Sequence, residues 1–570
     1  MVLNTPPEAG PDKSGEPGGD PGSKAGHSPG PGRGDQSGQP VPPPIRSGPA
    51  RTGAARRNGR APSRTDPDGG ALAGVPLLIL LVLACGLAMG VPAGHGFLTG
   101  QAAIARSFLY SGLMIVVLAA FLIIATRRRR ITPVTRGLFP MLAAIYAVIP
   151  AILAVPLADA LPQIRPADAW FEMVASFTTT GASVLETPRR LPDTIHLWRG
   201  MAGWFGGLFI LVSASAYMAP MGLGGFEMLR PPADHPLVHD RAGNAARQTA
   251  APRFTAHLRQ ILPLYAGLTG LLWLLLALSG MPGFPALMAA LAVLSTSGIL
   301  ARETLGAVGP GAELALFAFL FLAVSRAFIP GAEGRLLGRP RDDPQLRLAL
   351  ALVLGVIVLV AARHLLGGFQ PAEGETLPRL GTAIWGAAFT GLSFLTTTGL
   401  VNDAWIAGRA WSGLNPPGMV LLALALMGGG VATTAGGVKL MRLYALGRMG
   451  ADEMQRLLYP SLVSGGGRRL RFIAGQGARL AWLFVMAFAA ALSVIVALLL
   501  ALGLGFETAI IFAAAALTTT GPLAQFAGEG ALHWALLPDA ARLVLGLGMI
   551  LGRLEILAVL AMLAARISRD

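Results

Sequence analysis

Long uncharged apolar stretches constrain the fold of this chain more than any other feature. Residues 107–126 contain no formal charge, and four arginines follow directly at 127–130. About 20 apolar residues are enough for a helix to cross the hydrocarbon core of a bilayer. Charged residues make up 13% of the 570, against about 25% in soluble domains. Because the apolar runs are continuous rather than alternating, the sequence predicts an all-α polytopic membrane protein and not a β-barrel.

The formal net charge of +15 lies mostly in the segments between the apolar runs, as the four arginines at 127–130 show, and the tail before the first run is rich in arginine. Basic residues in these places orient membrane helices with their basic ends in the cytoplasm, so we expect a cytoplasmic N-terminus and no nucleic-acid partner. Residues 1–68 are rich in Pro, Gly, Ser and Arg and almost lack aliphatic side chains. This composition predicts a disordered tail.

The apolar runs divide the rest of the chain into a hairpin and four similar units. Each unit has a spanning segment, a shorter stretch with Thr and Gly, and a second spanning segment. The sequence thus predicts about ten spanning helices and four re-entrant loops around one pore. The predicted divisions are a tail at 1–68, a transmembrane hairpin at 69–130, and repeats at 131–230, 231–335, 336–455 and 456–570.

A short motif recurs in the four central stretches, and it ends in Gly181, Gly298, Gly399 and Gly521. Three copies read Thr-Thr-Thr-Gly, whereas residues 295–298 read Ser-Thr-Ser-Gly. Small residues in membrane helices often serve close packing. Four copies at 117-, 101- and 122-residue intervals, all on the same predicted side, favour a functional repeat instead.

The chemistry of the motif suits a monovalent cation. Non-helical backbone at membrane depth is tolerated where it lines a water-filled path or is buried in protein, and its free carbonyls can replace an ion's hydration shell. Gly permits the required backbone turns, and Thr and Ser add hydroxyl oxygens. A short helix such as 170–177 would point its negative C-terminal end at the ion. The predicted ion-binding residues are Thr179, Thr180, Gly181, Thr296, Ser297, Gly298, Thr397, Thr398, Gly399, Thr519, Thr520 and Gly521.

The motifs resemble the selectivity filter of the Trk/Ktr/HKT superfamily of potassium transporters, and the resemblance covers about residues 71–566. The segments 196–207, 428–439 and 552–555 resemble further motifs of that superfamily. The resemblance implies the pore-forming membrane subunit of a potassium-uptake system, with potassium as the transported ion. Gly181 implies potassium rather than sodium, because plant relatives with sodium preference carry serine there. The resemblance also implies a lipid-embedded homodimer in a bacterial inner membrane, on a cytoplasmic ring of nucleotide-binding regulatory subunits.

Residues 428–439 resemble the superfamily's glycine-rich gating segment. Because each glycine costs about 1 kcal/mol inside a helix, we expect the helix to break there and form a gate beneath the filter. A flexible kink without a gating role is the alternative. Arg553 either repels cations below the filter or forms a structural ion pair, with Glu555 of a neighbouring chain or with another acid. The predicted gate residues are Gly428, Gly429, Gly430, Thr433, Thr434, Gly436, Gly437, Lys439 and Arg553.

Acidic residues follow each motif at Glu186, Glu303, Asp403 and Glu529. They either attract cations to the outer mouth or are ordinary solvated charges. No phosphate-binding loop, catalytic triad order or metal-ligand spacing occurs, so we expect no enzyme activity. Two alternatives to potassium uptake remain at this stage. One is a sodium-selective or sodium/proton-coupled transporter of the same fold, and the other is a membrane scaffold without transport.

Overall fold

A computed structural model describes most of the chain from Val75 onward, and the statements below concern those residues. They are 75–126, 134–185, 191–219, 250–301, 305, 308–325, 343–366, 376–412, 418–459, 477–528 and 530–554. Their regular structure is helical throughout and includes no strand. The predicted all-α class is therefore confirmed. The predicted tail at 1–68 lies outside the described residues.

The N-terminal hairpin consists of α1 (Leu77–Ala88), α2 (Gly90–Leu98) and α3 (Ala102–Thr126). A helical stretch long and apolar enough to cross a membrane runs over Leu77–Leu98, within the hairpin predicted at 69–130. Helices α1 and α3 approach closely at two glycines. A Cβ added to Gly86 would lie 3.2 Å from the carbonyl oxygen of Gly112, and a Cβ added to Gly112 would lie 3.0 Å from the carbonyl oxygen of Gly86. The hairpin packs on the first repeat through α4 and α6.

In each repeat a long helix is followed by a leading helix, which enters the motif, and a following helix, which leaves it. The first repeat contains α4 (Val134–Ala160), α5 (Pro166–Phe177) and α6 (Asp193–Ser213), and the second α7 (Ala250–Leu278), α8 (Gly283–Ser295) and α9 (Pro310–Leu320). The third contains α10 (Pro344–Leu366), α11 (Thr376–Leu395), α12 (Asp403–Ser412), α13 (Gly418–Met427) and α14 (Leu440–Leu458). The fourth contains α15 (Ala478–Ala501), α16 (Phe506–Leu517), α17 (Leu523–Ala527) and α18 (Asp539–Leu554). The leading helices are thus α5, α8, α11 and α16, and the following helices are α6, α9, α13 and α18.

Seven helical stretches in the described part of the chain are long and apolar enough to cross a membrane. They are Leu77–Leu98, Ala102–Thr126, Pro140–Ala160, Asp193–Met218, Ala251–Leu278, Pro344–Arg363 and Ala478–Ala501. Five shorter apolar helices include the leading helices α8 and α16 and the following helices α9 and α13. The leading helices α5, α8 and α16 have 12, 13 and 12 residues and are shorter than a membrane span, whereas α11 has 20.

The leading and following helices pack in a closed order. Each following helix packs on the leading helix of its own repeat and on that of the next repeat, and α18 of the fourth repeat returns to α5 of the first. Glycines permit the closest contacts. A Cβ added to Gly206 on α6 would collide with the carbonyl of Phe177, the last residue of α5. A Cβ added to Gly552 on α18 would collide with the carbonyl of Leu517, the last residue of α16. This packing brings the four motifs together.

Two features of the third repeat concern the site. The predicted helix break is present, since α13 ends at Met427 and α14 begins at Leu440. Helix α12, which begins at Asp403, directly follows the third motif and was not predicted. In the second repeat, the following helix α9 passes into a single 3-10 turn at Phe321–Ala323, and the region after 325 lies outside the described residues.

Candidate functional site

The second residue of every motif has the same unusual backbone conformation. Thr179, Thr296, Thr397 and Thr519 have φ values of 53°, 52°, 57° and 56°. A β-branched residue in this left-handed region is a genuine outlier and costs about 1–3 kcal/mol. The other positive-φ residues besides glycine in the described chain are Ala432 and Lys439, in the glycine-rich segment. Backbone strain is therefore concentrated in the motifs and the segment predicted to act with them.

The first and third residues of every motif are joined through their hydroxyl groups. The Oγ–Oγ distances are 2.8 Å for Thr178–Thr180, 2.9 Å for Ser295–Ser297, 3.0 Å for Thr396–Thr398 and 3.2 Å for Thr518–Thr520. The serines of the second motif thus make the bond that threonines make elsewhere. The alignment of residues 295–298 with the other motifs follows from this shared geometry.

The backbone N–H groups of the motifs turn back towards the leading helices. The third residue of each motif donates to the carbonyl five residues earlier, with N–O distances of 2.8–2.9 Å, as between Thr180 and Ala175. The C-terminal carbonyls of the leading helices are therefore occupied by motif amides. Within one trans peptide unit the N–H and C=O point in opposite directions. The carbonyl of the second motif residue shares its peptide unit with the N–H of the third and therefore faces away from the leading helix.

The motif glycines close the four loops into a ring. An added Cβ at Gly181 would collide with the Ser297 carbonyl oxygen, and one at Gly298 would collide with the Thr398 carbonyl oxygen. At Gly399 it would lie 2.9 Å from Cβ of Pro522, and at Gly521 it would meet the backbone of Ala182. Each loop therefore touches the next in the order one, two, three, four and back to one. The last contact includes a hydrogen bond of 2.6 Å from the Gly521 N–H to the Thr180 carbonyl.

One cavity is lined by all four motif glycines. Its wall also includes Ser183 and Arg199 of the first repeat and Trp534 of the fourth, and the Trp534 indole N–H donates to the Gly521 carbonyl at 3.3 Å. Asp403 is exposed at the start of α12 and does not line this cavity. Glu186, Glu303 and Glu529 lie outside the described residues. Attraction of cations by carboxylates at the mouth, one of the two interpretations from the sequence, therefore stays untested for three positions, whereas an unpredicted arginine lines the cavity.

Arg553 lies on the opposite side of the first motif, against its backbone. Its Nε donates to the Thr178 carbonyl at 2.5 Å, and its Nη2 contacts the Thr179 hydroxyl. Its Nη1 donates to the Thr434 carbonyl of the glycine-rich segment at 2.6 Å. The guanidinium thus bridges the first motif and this segment. Glu555, the ion-pair partner considered from the sequence, lies outside the described residues.

The glycine-rich segment leaves α13, passes under the motifs and returns to the same point. The N–H groups of Val438 and Lys439 donate to the Leu426 and Met427 carbonyls, each at 3.0 Å, and cap the end of α13. Gly428 and Gly437 meet where the two arms come together, since an added Cβ at Gly437 would lie 2.6 Å from Cα of Gly428. We call residues 428–439 the inner loop.

Several repeats hold the inner loop. The Gly436 N–H donates to the Thr397 hydroxyl of the third motif at 2.8 Å, and the Thr434 hydroxyl donates to the Leu294 carbonyl at the end of α8 at 3.3 Å. Gly430 donates to the Ala323 carbonyl at 2.9 Å, and Val431 donates to the Gln345 side chain at 2.8 Å. The Lys439 ammonium contacts the Ala435 carbonyl within the loop. All nine predicted gate residues therefore lie in, or contact, one segment next to the motifs.

Sequence reasoning missed the groups that support the motifs from behind. Glu172 on α5 pairs with Arg199 on α6, and Gln345 on α10 holds the inner loop. Glu172 carried a usable signal, because it is a carboxylate in the middle of a segment predicted to lie at membrane depth. Gln345 follows the charged stretch 341–343 and gives no such signal.

Known proteins resemble the chain along most of its length. The TrkH family model, described as "Cation transport protein", matches residues 375–569. The Trk system potassium uptake protein TrkH of Halomonas elongata is 28% identical over 435 residues, which cover 75% of this chain and 85% of that protein. The TrkH protein of Escherichia coli K12 is 25% identical over 437 residues, covering 76% and 86%.

A solved structure has the same fold. The crystal structure of the potassium transporter TrkH from Vibrio parahaemolyticus aligns with a TM-score of 0.67 and 24% sequence identity. The alignment covers 86% of this chain and 98% of that one. The family match, the relatives and the shared fold agree with the resemblance seen in the motifs. The chain therefore shares the fold of a TrkH structure and resembles TrkH proteins over most of its length, and its residues 375–569 match a family of cation transport proteins.

Proposed function

We propose that the chain is the pore-forming membrane subunit of a potassium-uptake system. The ring of four motifs is its selectivity filter, and potassium ions pass through it between carbonyl and hydroxyl oxygens. The filter residues are those predicted from the sequence, three from each motif. The relatives' names, which describe potassium uptake, support the choice of ion.

The repeated left-handed conformation of Thr179, Thr296, Thr397 and Thr519 carries this proposal. Strain of about 1–3 kcal/mol at each of four equivalent positions is retained only where the surrounding structure enforces it, and such strain clusters at functional sites. The strained turns occur in loops that touch their neighbours, and the carbonyl of each strained residue faces away from its leading helix. A ring of uncharged oxygen ligands suits potassium.

The inner loop and Arg553 form the proposed gate. A cation that leaves the filter meets a loop that is held to the motifs through Thr397 and Arg553. The positive charge of Arg553 opposes its passage, and the loop must move to let it through. The contacts of Arg553 with oxygens of both the filter and the loop favour this barrier over a structural ion pair. They also favour a gate over a passive kink.

The remaining parts of the proposal rest on resemblance and on charge. We propose a multi-pass protein of the bacterial inner membrane with its N-terminus in the cytoplasm. We further propose a homodimer that binds a cytoplasmic ring of nucleotide-binding regulatory subunits through its basic cytoplasmic segments. A sodium-selective or sodium/proton-coupled transporter is the alternative of the same fold, and a scaffold without transport is the alternative of another class.

Growth rescue of a potassium-uptake-deficient bacterium at low potassium tests the proposed function. We expect the chain to restore growth and to take up rubidium faster than sodium. Gly399→Ser adds a Cβ that crowds Pro522 at a residue with φ of 76°, so we expect it to reduce rescue and rubidium preference. Sodium uptake that equals or exceeds rubidium uptake would favour the sodium alternative. Absence of any cation flux from correctly inserted protein would favour the scaffold.

Flux in vesicles tests the gate. Arg553→Ala removes the positive charge and the bridge to Thr434, so we expect resting rubidium flux to rise several-fold. Deletion of residues 430–436 should raise it further, because the obstruction itself is removed. Normal membrane content with unchanged flux in both variants would contradict the gate, and loss of folded Arg553→Ala protein would favour the structural ion pair.

A further inference from the structure

A buried ion pair lies directly behind the first motif. Glu172 on α5 is fully buried, Arg199 on α6 is 4% exposed, and Arg199 Nε lies 2.5 Å from Glu172 Oε1. Both residues belong to helices that pack on each other beside the motif. Burial of two charges is costly unless they are paired and further hydrogen-bonded. A hydrophobic contact would join the two helices equally well, so the pair calls for a more specific explanation.

The second oxygen of Glu172 holds the segment that leaves the motif. Glu172 Oε2 accepts the backbone N–H of Val184 at 2.9 Å and the hydroxyl of Ser183 at 3.3 Å. Ser183 and Val184 follow Gly181 by two and three residues. The Ser183 hydroxyl also accepts the N–H of Leu185 at 3.2 Å. The carboxylate therefore ties the segment that follows Gly181 to the leading helix, while Arg199 fixes the carboxylate.

Arg199 also lines the cavity that contains the four motif glycines. An unpaired positive charge at this place would repel a cation that approaches the ring, and the repulsion is strong where little water screens it. Glu172 neutralises it. The Glu172–Arg199 pair thus determines two properties. One is the position of the first loop, and the other is the electrostatic potential in the cavity lined by the motif glycines.

The other motifs lack this ion pair. Six residues before the first motif residue, where the first loop has Glu172, the other loops have Ala289, Thr390 and Phe512. In the third loop, the outgoing Leu400 N–H is accepted at 2.6 Å by the neutral hydroxyl of Ser393. Because a buried ion pair holds the first loop, the geometry of this loop depends on the charges of Glu172 and Arg199.

We propose that the Glu172–Arg199 pair is a positioning element that sets cation discrimination through the first loop. This inference rests on the proposed potassium filter. Neither residue is proposed to bind the ion. Glu172 fixes the backbone two and three residues beyond Gly181, and the pairing removes the net charge of Arg199 from the cation's approach.

The test is rubidium and sodium uptake into vesicles that contain the full chain. Glu172→Gln keeps an oxygen acceptor for Val184 and removes the negative charge. We expect the rubidium/sodium uptake ratio to fall about tenfold, equivalent to about 1.4 kcal/mol. Asp452→Asn is the matched control, because Asp452 pairs with Arg448 on α14 across 3.6 Å at the surface. It should leave the ratio unchanged. A purely structural role for Glu172 would lower both fluxes in proportion to the folded protein.

A second variant decides the case if Glu172→Gln does not fold. Arg199→Lys keeps the positive charge but loses the planar guanidinium that reaches Glu172, so we expect a smaller but measurable fall in the ratio. A ratio within twofold of the unchanged chain, in whichever of the two variants folds, overturns the inference. Failure of the unchanged chain to take up rubidium overturns the proposed function and this inference with it. The two failures are therefore distinguishable.

Discussion

The first and third loops make the same turn but are supported from behind by different chemistry. Both have a left-handed second threonine, a hydroxyl pair between the first and third residues, and a glycine next to the following loop. Behind the turn, the first loop depends on Glu172 and Arg199. The third depends on Ser393 and on Asn402, whose amide contacts Glu313 at 3.4 Å. The motif thus encodes the turn locally, and each repeat supplies its own support.

The same contrast extends to other contacts of the leading helices. Arg165, which precedes α5, donates to Asp539 on α18 at 2.8 Å, so charged groups join the first repeat to the fourth. At α11 the Trp385 indole donates instead to Glu313 on α9, so a neutral ring contacts a carboxylate. The first and fourth repeats lie far apart in the sequence, and this charged contact helps to close the ring between them.

The largest effect is expected where the shared turn itself is broken. Gly181→Ala places a Cβ against the Ser297 carbonyl at a residue with φ of 71°, and neither the backbone clash nor the left-handed strain is relieved by rotation of a side chain. We expect rubidium uptake below about a tenth of the unchanged chain. Gly298→Ala should behave alike, because its Cβ meets the Thr398 carbonyl.

Gly267→Ala on α7 is the control for both substitutions, since open space surrounds its added Cβ. It should leave uptake unchanged. Normal uptake by Gly181→Ala, at equal amounts of protein in the membrane, would show that the ring does not need the close approach of the first and second loops.

The shared turn could be predicted from the sequence, but the side chains that hold it in place could not. Thr and Gly at fixed spacing between apolar segments predicted four equivalent loops, and the glycines predicted the break between Met427 and Leu440. Both signals are local. The contacts of Glu172 with Arg199, and of Gln345 with Val431, join residues 27 and 86 positions apart. Which side chains meet at such separations depends on helix packing, and no periodicity in the sequence reports it.

A smaller effect is expected from the neutral support of the third loop. Ser393→Ala removes the acceptor of the buried Leu400 N–H, and an unsatisfied buried amide costs about 1–3 kcal/mol. We expect a lower Tm and a rubidium/sodium ratio that falls less than about threefold, because no charge is left unpaired. This is well below the effect expected for Glu172→Gln.

Ser493→Ala on α15 is the matched control, because its hydroxyl bonds the Ala489 carbonyl within an exposed turn of helix. Thermal unfolding in detergent and the uptake ratio measure both variants. A fall in the ratio as large as that of Glu172→Gln would remove the distinction between charged and neutral support.

The smallest effect is expected at the exposed contact between the first and fourth repeats, and it depends on pH. Hydrogen bonds from Arg165 hold the pKa of Asp539 below its ordinary value. A lowered pKa in the folded state contributes stability above the ordinary value of about 3.9, which is lost as the pH falls through the lowered pKa. Asp539→Asn should therefore lower Tm by about 1 °C or less at pH 7, since exposed ion pairs contribute little. The difference from the unchanged chain should be constant from pH 5 to 8, vanish only in stronger acid, and shrink with added salt. A difference that instead disappears between pH 5 and 7 would mean that another group closes the ring at this contact.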